Sequence, residues 1–381
     1  MFNFTREDTS ILAKWWRNID KQTLFVIIFL FLLGLFFSFS STSQLIGEKL
    51  NKQTYFFFIR HFIFVLISIT LLLVISIQNR TRVKKFLLPL FLLSLFFLLL
   101  VPFIGVEVKG SKRWIDLFGL LRFQPVEIIK PLFLLIVAKI IVSKNNSNNY
   151  LKYFFSIFLL SLIVFLLVDQ PDIGQTLLIT STWIAMIFAS GINLTVLILM
   201  AILFIGILGS IIYFFPSKFG YIPSRIMSFF DPSKGDNFQS QKALDAIQQG
   251  GLTGQGMGEG ILKDKVPEAH TDYIIAVISE EFGILFVLFI VLLFLFIAYK
   301  AFSKIFIEKE EFIKLSLVGL VSLLIIQTFI HLGVNVRLIP TTGMTMPFLS
   351  YGGSSLIGSS IVAGVILNFT KATPKGYNEN E

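Results

Sequence analysis

Two stretches of this sequence hold residue types that could do chemistry. The first is Val266-Pro267-Glu268-Ala269-His270-Thr271-Asp272-Tyr273, which leads directly into a long apolar run. A carboxylate at such a boundary can take a proton from a hydroxyl group, the work of a general base. It can equally be a helix cap, because Thr271 or Asp272 would accept from the first N–H groups of the following helix. The second is 107–130, EVKGSKRWIDLFGLLRFQPVEIIK. Lys109, Lys112, Arg113 and Arg122 fall close together there, beside Glu107 and Asp116. Such a set suits an anionic ligand, or lipid headgroups and pairing with the two acids. Glu127 and Lys130 are three apart on one helix and can pair, and Pro125 suits that helix's first turn.

Other polar residues need an explanation as well. Glu280 and Glu281 are adjacent acids on an otherwise apolar helix, with Ser279 seven residues after Asp272. Ionisable groups are costly in a membrane and require partners; Arg113, Lys130 and Arg337 are candidates. The run Gly250–Gly260 contains Gly250, Gly251, Gly254, Gly256, Gly258 and Gly260. It reads as a flexible hinge or as a backbone cradle for phosphate. No strand precedes it, so it is not a dinucleotide fingerprint. His61 and His331 stand alone and read as packed residues, and no set of His and Cys with metal-ligand spacing exists. No Ser/His/Asp nucleophile pattern is visible.

These residues must be positioned by membrane helices. The chain is 55% hydrophobic and 14% charged over 381 residues, with no cysteine, against ~25% charged for soluble domains. That excludes a soluble enzyme, a disordered chain and a disulfide scaffold. The net charge of +9 comes without a basic low-complexity tail, so no nucleic-acid partner is expected. A bilayer core takes about 20 apolar residues per helix. On that length, spans are expected at 23–43, 55–77, 86–105, 127–143, 152–169, 174–190, 192–215, 273–300, 313–335 and 351–371. The fold class is therefore an all-α polytopic membrane protein of about ten helices.

The apolar run after the polar segment 1–22 has no cleavage site behind it and reads as an uncleaved first helix. Lys and Arg in short loops set orientation. Arg80, Arg82, Lys84 and Lys85 in one tight loop place 78–85 inside, with both termini inside. The chain then divides into a cytoplasmic tail 1–22, a transmembrane domain 23–371 and a tail 372–381. A large outer segment, 216–272, falls between helices seven and eight. Within it, 240–247 reads as a short amphipathic helix, and Asp231–Asp236 as a turn. On this parity 107–130, 169–176, 231–281 and 337–355 all lie on the outer face, and the midplane is nearly bare of charge. A transporter would concentrate polar groups at the midplane; this chain reads as a machine working at one membrane surface. Trp15 and Trp16 read as an interfacial belt.

The stretches KGSKRWID, QPVEIIK, QPDIGQT, PEAHTDYIIAVISEEFG and GMTMPFLSYGGSS, in that order, resemble the SEDS family of bacterial shape and division proteins across nearly the whole chain. Pro267-Glu268-Ala269-His270 and Gly343-Met344-Thr345-Met346-Pro347-Phe348 resemble its cell-division branch more than its elongation branch. The EVKG start and the Phe230-to-Gly260 stretch resemble the alphaproteobacterial form. Val126 stands where the family usually has a small or hydroxyl residue, and Thr342 where division members often have Lys. The resemblance implies a peptidoglycan glycosyltransferase that polymerises lipid II, an undecaprenyl-pyrophosphate-linked disaccharide peptide, at the outer leaflet. It implies a bacterial inner membrane at the division septum, among membrane lipids. Its implied partners are a class B penicillin-binding protein, FtsI, and other divisome proteins. Asp272 matches the family's essential acid and is the expected catalytic base. The residues expected at the substrate are Lys109, Lys112, Arg113, Trp114, Glu127, Lys130, Asp172, His270, Thr271, Glu280, Arg337 and Ser350. A divalent cation, magnesium or manganese, bridging Asp272 and phosphate fits this chemistry, and no other cofactor is expected. The rival readings are a lipid II flippase and a noncatalytic divisome scaffold.

Overall fold

The computed structural model describes residues 8–41, 56–108, 110–117, 121–143, 149–231, 238–260, 266 and 268–372. A short helix, α1 (Ile11–Asn18), leads into α2 (Lys21–Ser41), α3 (Phe56–Ile77) and α4 (Arg80–Ile104). A three-stranded sheet follows: β1 (Val106–Val108), β2 (Ser111–Leu117) and β3 (Leu121–Phe123). Then come α5 (Pro125–Val142), α6 (Asn149–Asp169), α7 (Ile173–Ala189) and α8 (Leu194–Phe214). Two short helices, α9 (Pro216–Phe219) and α10 (Tyr221–Phe230), and the longer α11 (Phe238–Gly250) precede α12 (Ile274–Ile307), α13 (Glu311–Asn335) and α14 (Gly353–Thr370).

Ten long helices among the described residues thus sit where apolar length demanded spans. Among the described residues, α2, α3, α4, α6, α12, α13 and α14 are long and apolar enough to cross a bilayer. The helix α5 carries Glu127, Lys130 and Lys139, and α7 has only 17 residues. The packing divides them into two groups. Nearly all of α5, much of α13 and most of α14 are buried. The helices α3 and α4 present Ile63, Ile67, Leu88 and Leu92 outward, which suits contact with lipid tails. Membrane helices gain little from hydrophobicity against one another, so close packing through small residues holds them. A Cβ on Gly353 would lie 2.5 Å from Phe64, one on Gly358 2.6 Å from the Glu127 carbonyl oxygen, and one on Gly364 2.9 Å from Ile75. These glycines let α14 press against α3 and α5.

The segment expected as a loop at 106–126 is folded as an antiparallel sheet. Val106 pairs with Trp114 and Glu107 with Lys112. Asp116 pairs with Arg122, and their side chains form an ion pair at 3.2 Å. At the opposite end of the helices, charges tie the turns together. Arg80 pairs with Glu308 at 3.3 Å, Lys304 with Glu308 at 3.5 Å and Lys300 with Asp20 at 3.1 Å. Trp15 of α1 donates its indole N–H to Ser76 at 3.1 Å.

The N–H groups of Gln255 and Gly256 in the glycine run 250–260 are turned to the protein's own backbone and cradle no ligand. The run closes a break in α12, where Gly283 has φ 79° and ψ 171°. Gln255 and Gly256 donate N–H groups to the Glu280 and Glu281 carbonyls at 2.9 and 3.0 Å. Ile284 and Leu285 donate to the Gly251 and Leu252 carbonyls at 3.0 and 3.3 Å. A broken membrane helix leaves backbone groups that must find partners inside the protein. Here the glycine run supplies them, and α11 packs alongside. The expected amphipathic helix is α11, longer than anticipated; of the expected turn after Asp231, residues 232–236 lie outside the described residues.

Candidate active site

A cavity of about 1230 Å³ opens at one end of the helices. Its lining comes from α3, the sheet, the α6–α7 turn, α10, the residues before α12 and the α13–α14 connection. The four polar stretches singled out in the sequence therefore meet at one end of the molecule. Among the described residues, none of the lining comes from the turns at the other end.

Asp272 lines this cavity, half-buried, with Glu268, Thr271 and Tyr273. Its N–H and those of Thr271 and Tyr273 all bond the Glu268 carbonyl, at 3.1, 3.1 and 3.3 Å. Neither Thr271 nor Asp272 is the N-cap of α12. That position is Tyr273, which makes no side-chain cap bond. The capping oxygen arrives from another helix: Asn335 Oδ1 accepts from Ala276 N–H at 3.2 Å. The capping explanation of Asp272 therefore fails. A Cβ placed on Gly343 would be 3.6 Å from Asp272 Oδ2, so the carboxylate faces the α13–α14 connection, whose residues 341–345 also line the cavity.

The cations are distributed differently from expectation. Arg113 lines the cavity but is fastened to its wall. Its Nε donates to the Gln170 carbonyl at 3.1 Å, an Nη donates to the Pro171 carbonyl, and the other lies 3.8 Å from Asp172. Lys112, its neighbour on β2, is exposed and absent from the lining. Lys109 lies outside the described residues. Arg122, one of the four cations whose clustering suits an anionic ligand, also lines the cavity, as do Arg60 and Arg225, to which sequence reasoning gave no such role. Arg60 had a signal, being an isolated cation in an apolar run; Arg225 sat unremarked in a long segment. Burial, and then the charge of Arg113, lowers the pKa of Arg225. Two guanidinium groups close enough to repel make a wall that favours an anion. Burial pushes the neighbouring Tyr221 hydroxyl up to about 12, and that hydroxyl donates to the Val168 carbonyl at 2.8 Å.

Asp172 is buried, caps α7 through Gln175 N–H at 3.3 Å, and accepts from Gln124 Nε2 at 3.2 Å. It braces the wall and is absent from the lining. Burial raises its pKa against the opposing pull of Arg113. Glu127 and Lys130 form the expected pair at 2.8 Å, both buried, and Glu127 also accepts from Gln175 at 2.7 Å. Glu127 reaches the cavity and Lys130 does not. Trp114 and Thr271 line it too.

Besides Lys112, Lys130 and Asp172, four more of the expected substrate residues stand back from the cavity. Glu280 is fully buried against the glycine run, with its carboxyl carbon 3.0 Å from a Cβ placed on Gly260. Glu281 accepts from Ser40 at 2.6 Å and from Gly258 N–H at 3.3 Å. These acids serve the break in α12, and Arg113, Lys130 and Arg337 are bound elsewhere. Arg337 bonds Gln241. Ser350 is buried, donates to the Thr271 carbonyl at 2.7 Å and accepts from Met346 N–H at 2.9 Å. His270 packs among Phe57 and Tyr351. Of these, Ser350 holds the turn that carries Asp272 from outside the lining.

Chemically, the cavity offers the Asp272 carboxylate, with Glu268, Glu127 and the Arg122-paired Asp116 also on its wall, and four guanidinium groups. That suits proton removal from a hydroxyl beside a departing phosphate anion. Ile63, Phe64 and Ile67 line one flank, and Ile63 and Ile67 are exposed on α3, so the flank is apolar and faces outward. Among the described residues no three His, Cys, Asp or Glu side chains converge to hold a metal. A cation at Asp272 would draw its remaining ligands from phosphate and water.

A family model described as cell cycle protein, covering FtsW, RodA and SpoVE, matches residues 21–375. The chain is 31% identical over 375 residues to the probable peptidoglycan glycosyltransferase FtsW of Caulobacter vibrioides, covering 98% of this chain and 95% of that one. It is 33% identical over 361 residues to the protein of that name from Haemophilus influenzae, covering 91% and 89%. Among solved structures, a chain from a peptidoglycan synthase complex aligns with a TM-score of 0.74 at 24% identity, over 92% of this chain and 97% of that one. The Thermus thermophilus rod shape determining protein RodA aligns with a TM-score of 0.67 at 24% identity, over 93% and 97%.

Proposed function

The chain belongs to the cell cycle protein family of FtsW, RodA and SpoVE, and from that premise we propose that it polymerises lipid II, with Asp272 as general base. The observation that carries this reading is the placement of Asp272. It lines a cavity walled by Arg60, Arg113, Arg122 and Arg225, and its helix is capped by another residue.

The reaction joins two lipid-linked sugars. An acceptor hydroxyl oxygen attacks the anomeric carbon of the donor, and the bond from that carbon to the pyrophosphate oxygen breaks. The hydroxyl proton passes to Asp272, and polyprenyl pyrophosphate leaves as an anion. Pyrophosphate is already a good leaving group, so a second carboxylate acting as acid, as in a glycosidase, is unnecessary. The guanidinium groups stabilise the departing charge, and arginine suits phosphate because its planar donors bind it bidentately. Attack from the face opposite the leaving group inverts an α-linked donor to a β-linked product. The apolar flank of Ile63, Phe64 and Ile67 suits the polyprenyl tail.

The cavity end is read as the outer face of the bacterial inner membrane, with both termini cytoplasmic and the protein at the division septum. The clustering of Arg80, Lys84, Lys300 and Lys304 at the opposite end supports that orientation. A class B penicillin-binding protein is the partner that would cross-link the strands. Purified protein given lipid II in vesicles tests the reading. Glycan polymer is expected; lipid II transfer between leaflets without polymer would favour a flippase, and neither would favour a scaffold.

A further inference from the structure

Three consecutive carbonyls hold the turn that carries Asp272. The His270 carbonyl accepts from Tyr351 N–H at 2.9 Å, and the Thr271 carbonyl from the Ser350 hydroxyl at 2.7 Å. The Asp272 carbonyl accepts from Asn335 Nδ2 at 3.2 Å. Two of these three clamps act one and two residues before the acid; that of Asn335 falls on Asp272 itself.

Asn335 is fully buried at the end of α13. One amide serves both sides of the α12 start. Its Nδ2 donates to the Asp272 carbonyl and to the His331 carbonyl, the latter at 2.8 Å. Its Oδ1 accepts from Ala276 N–H at 3.2 Å. A planar carboxamide is the side chain of this size that donates on one side and accepts on the other. A carboxylate could cap Ala276 but could not donate to Asp272. A cationic side chain could hold the carbonyl, but its charge would stabilise the ionised carboxylate and make it a weaker base. Asn335 fixes the turn without that penalty.

We infer that Asn335 is the positioning residue for Asp272: it docks the first turn of α12 on α13 so that the carboxylate stays aimed into the cavity beside Gly343. The inference rests on Asp272 acting as the base. Displacing a reacting group by ~1 Å costs about 10²-fold in rate, and the loss falls on kcat because substrate contacts are untouched.

The test is Asn335→Asp in the full-length protein, assayed for lipid II polymerisation with kcat and KM separated. The variant keeps the side-chain volume and an oxygen to cap Ala276, but replaces the two amide donors with a carboxylate oxygen that faces the Asp272 and His331 carbonyls. The expected result is a kcat lowered about 10²-fold with KM unchanged. Wild-type kcat per folded molecule would overturn the inference, as would a loss carried by KM alone. Asn335→Ser, neutral and too short to span both partners, is judged on the same criteria if Asn335→Asp does not fold. Asp272→Asn run alongside distinguishes the failures. Loss of kcat there with wild-type kcat in the Asn335 variant removes only the positioning role. Wild-type kcat in Asp272→Asn removes the base, and the inference with it.

Discussion

Lys130→Met should destabilise the protein far more than its exposure suggests. The Lys130 ammonium lies 2.8 Å from Glu127 Oε2, and both residues are buried, at 2% and 4% exposure. At an effective dielectric near 20, that separation gives roughly 6 kcal/mol of attraction. Most of it only offsets the desolvation of two charges. Removing one partner, however, strands the other. Glu127 would keep Gln175 Nε2 at 2.7 Å as its remaining described hydrogen bond, and a buried charge left in that way costs ~3–5 kcal/mol. Replacing both residues, Glu127→Gln with Lys130→Met, should come back to within about 1–2 kcal/mol of the parent, because no charge is left uncompensated. The assay is thermal unfolding in nanodiscs, with the monodisperse fraction after heating as a second reading. Lys130→Met as stable as the parent would refute the argument, since Glu127 would then not depend on its pair. The double variant also sorts roles at the cavity wall: if it is stable and inactive, Glu127 touches substrate; if stable and active, the pair is scaffold.

The remaining expectations are more local. Gly283→Ala would put a Cβ 2.2 Å from the Leu252 carbonyl oxygen at φ 79°, so backbone strain of ~1–3 kcal/mol and overpacking of ~1–3 kcal/mol should add. Gly258→Ala, with φ 84° and open space around it, should show only the first, and equal melting temperatures would contradict the account of the α12 break. Asp172 has its pKa raised, chiefly by burial; a raised folded value contributes stability at acid pH that is lost as pH climbs through it. Asp172→Asn should therefore gain on the parent in melting temperature from pH 4 upward, and a relative loss over that range would reverse the sign assigned to burial. A cysteine replacing Arg82 should resist an impermeant thiol reagent in intact cells, whereas labelling there would invert the proposed orientation.

Much of this was legible in the residues. Apolar length alone located the ten long helices among the described residues, seven of them long and apolar enough to cross a bilayer, because a bilayer-sized run of Leu, Ile and Phe has few alternatives. Parity brought the four polar stretches to one end, and their meeting there followed. The Glu127–Lys130 pair followed from spacing. What failed depended on tertiary partners. Thr271 and Asp272 had the right types to cap α12, yet the cap is Asn335, distant in sequence and silent as a motif. Glu280 and Glu281 called for partners; the three cations first considered are bound elsewhere, and the described setting of both acids is the glycine run that closes the break at Gly283. A break in a continuous apolar run leaves no compositional trace. Lys112 and Arg113 are equivalent by charge, yet Arg113 is fastened to the cavity wall through the Gln170 and Pro171 carbonyls while Lys112 is exposed. Arg225 became a wall residue only through the packing of α10.

The central claim is that Asp272 accepts a proton. Asn matches Asp in size, and the capping and backbone bonds of the turn come from Asn335, Ser350, Tyr351 and the Glu268 carbonyl, so Asp272→Asn should insert and stay folded. The direct measurement is lipid II polymerisation by this purified variant. Loss of general-base catalysis typically costs ~10²–10⁴-fold in rate, and the account predicts glycan formation reduced by that factor in a protein whose melting temperature is unchanged. Polymerisation near the parent rate would contradict it, and would move the search for the base to Glu127 or Glu268 on the same cavity.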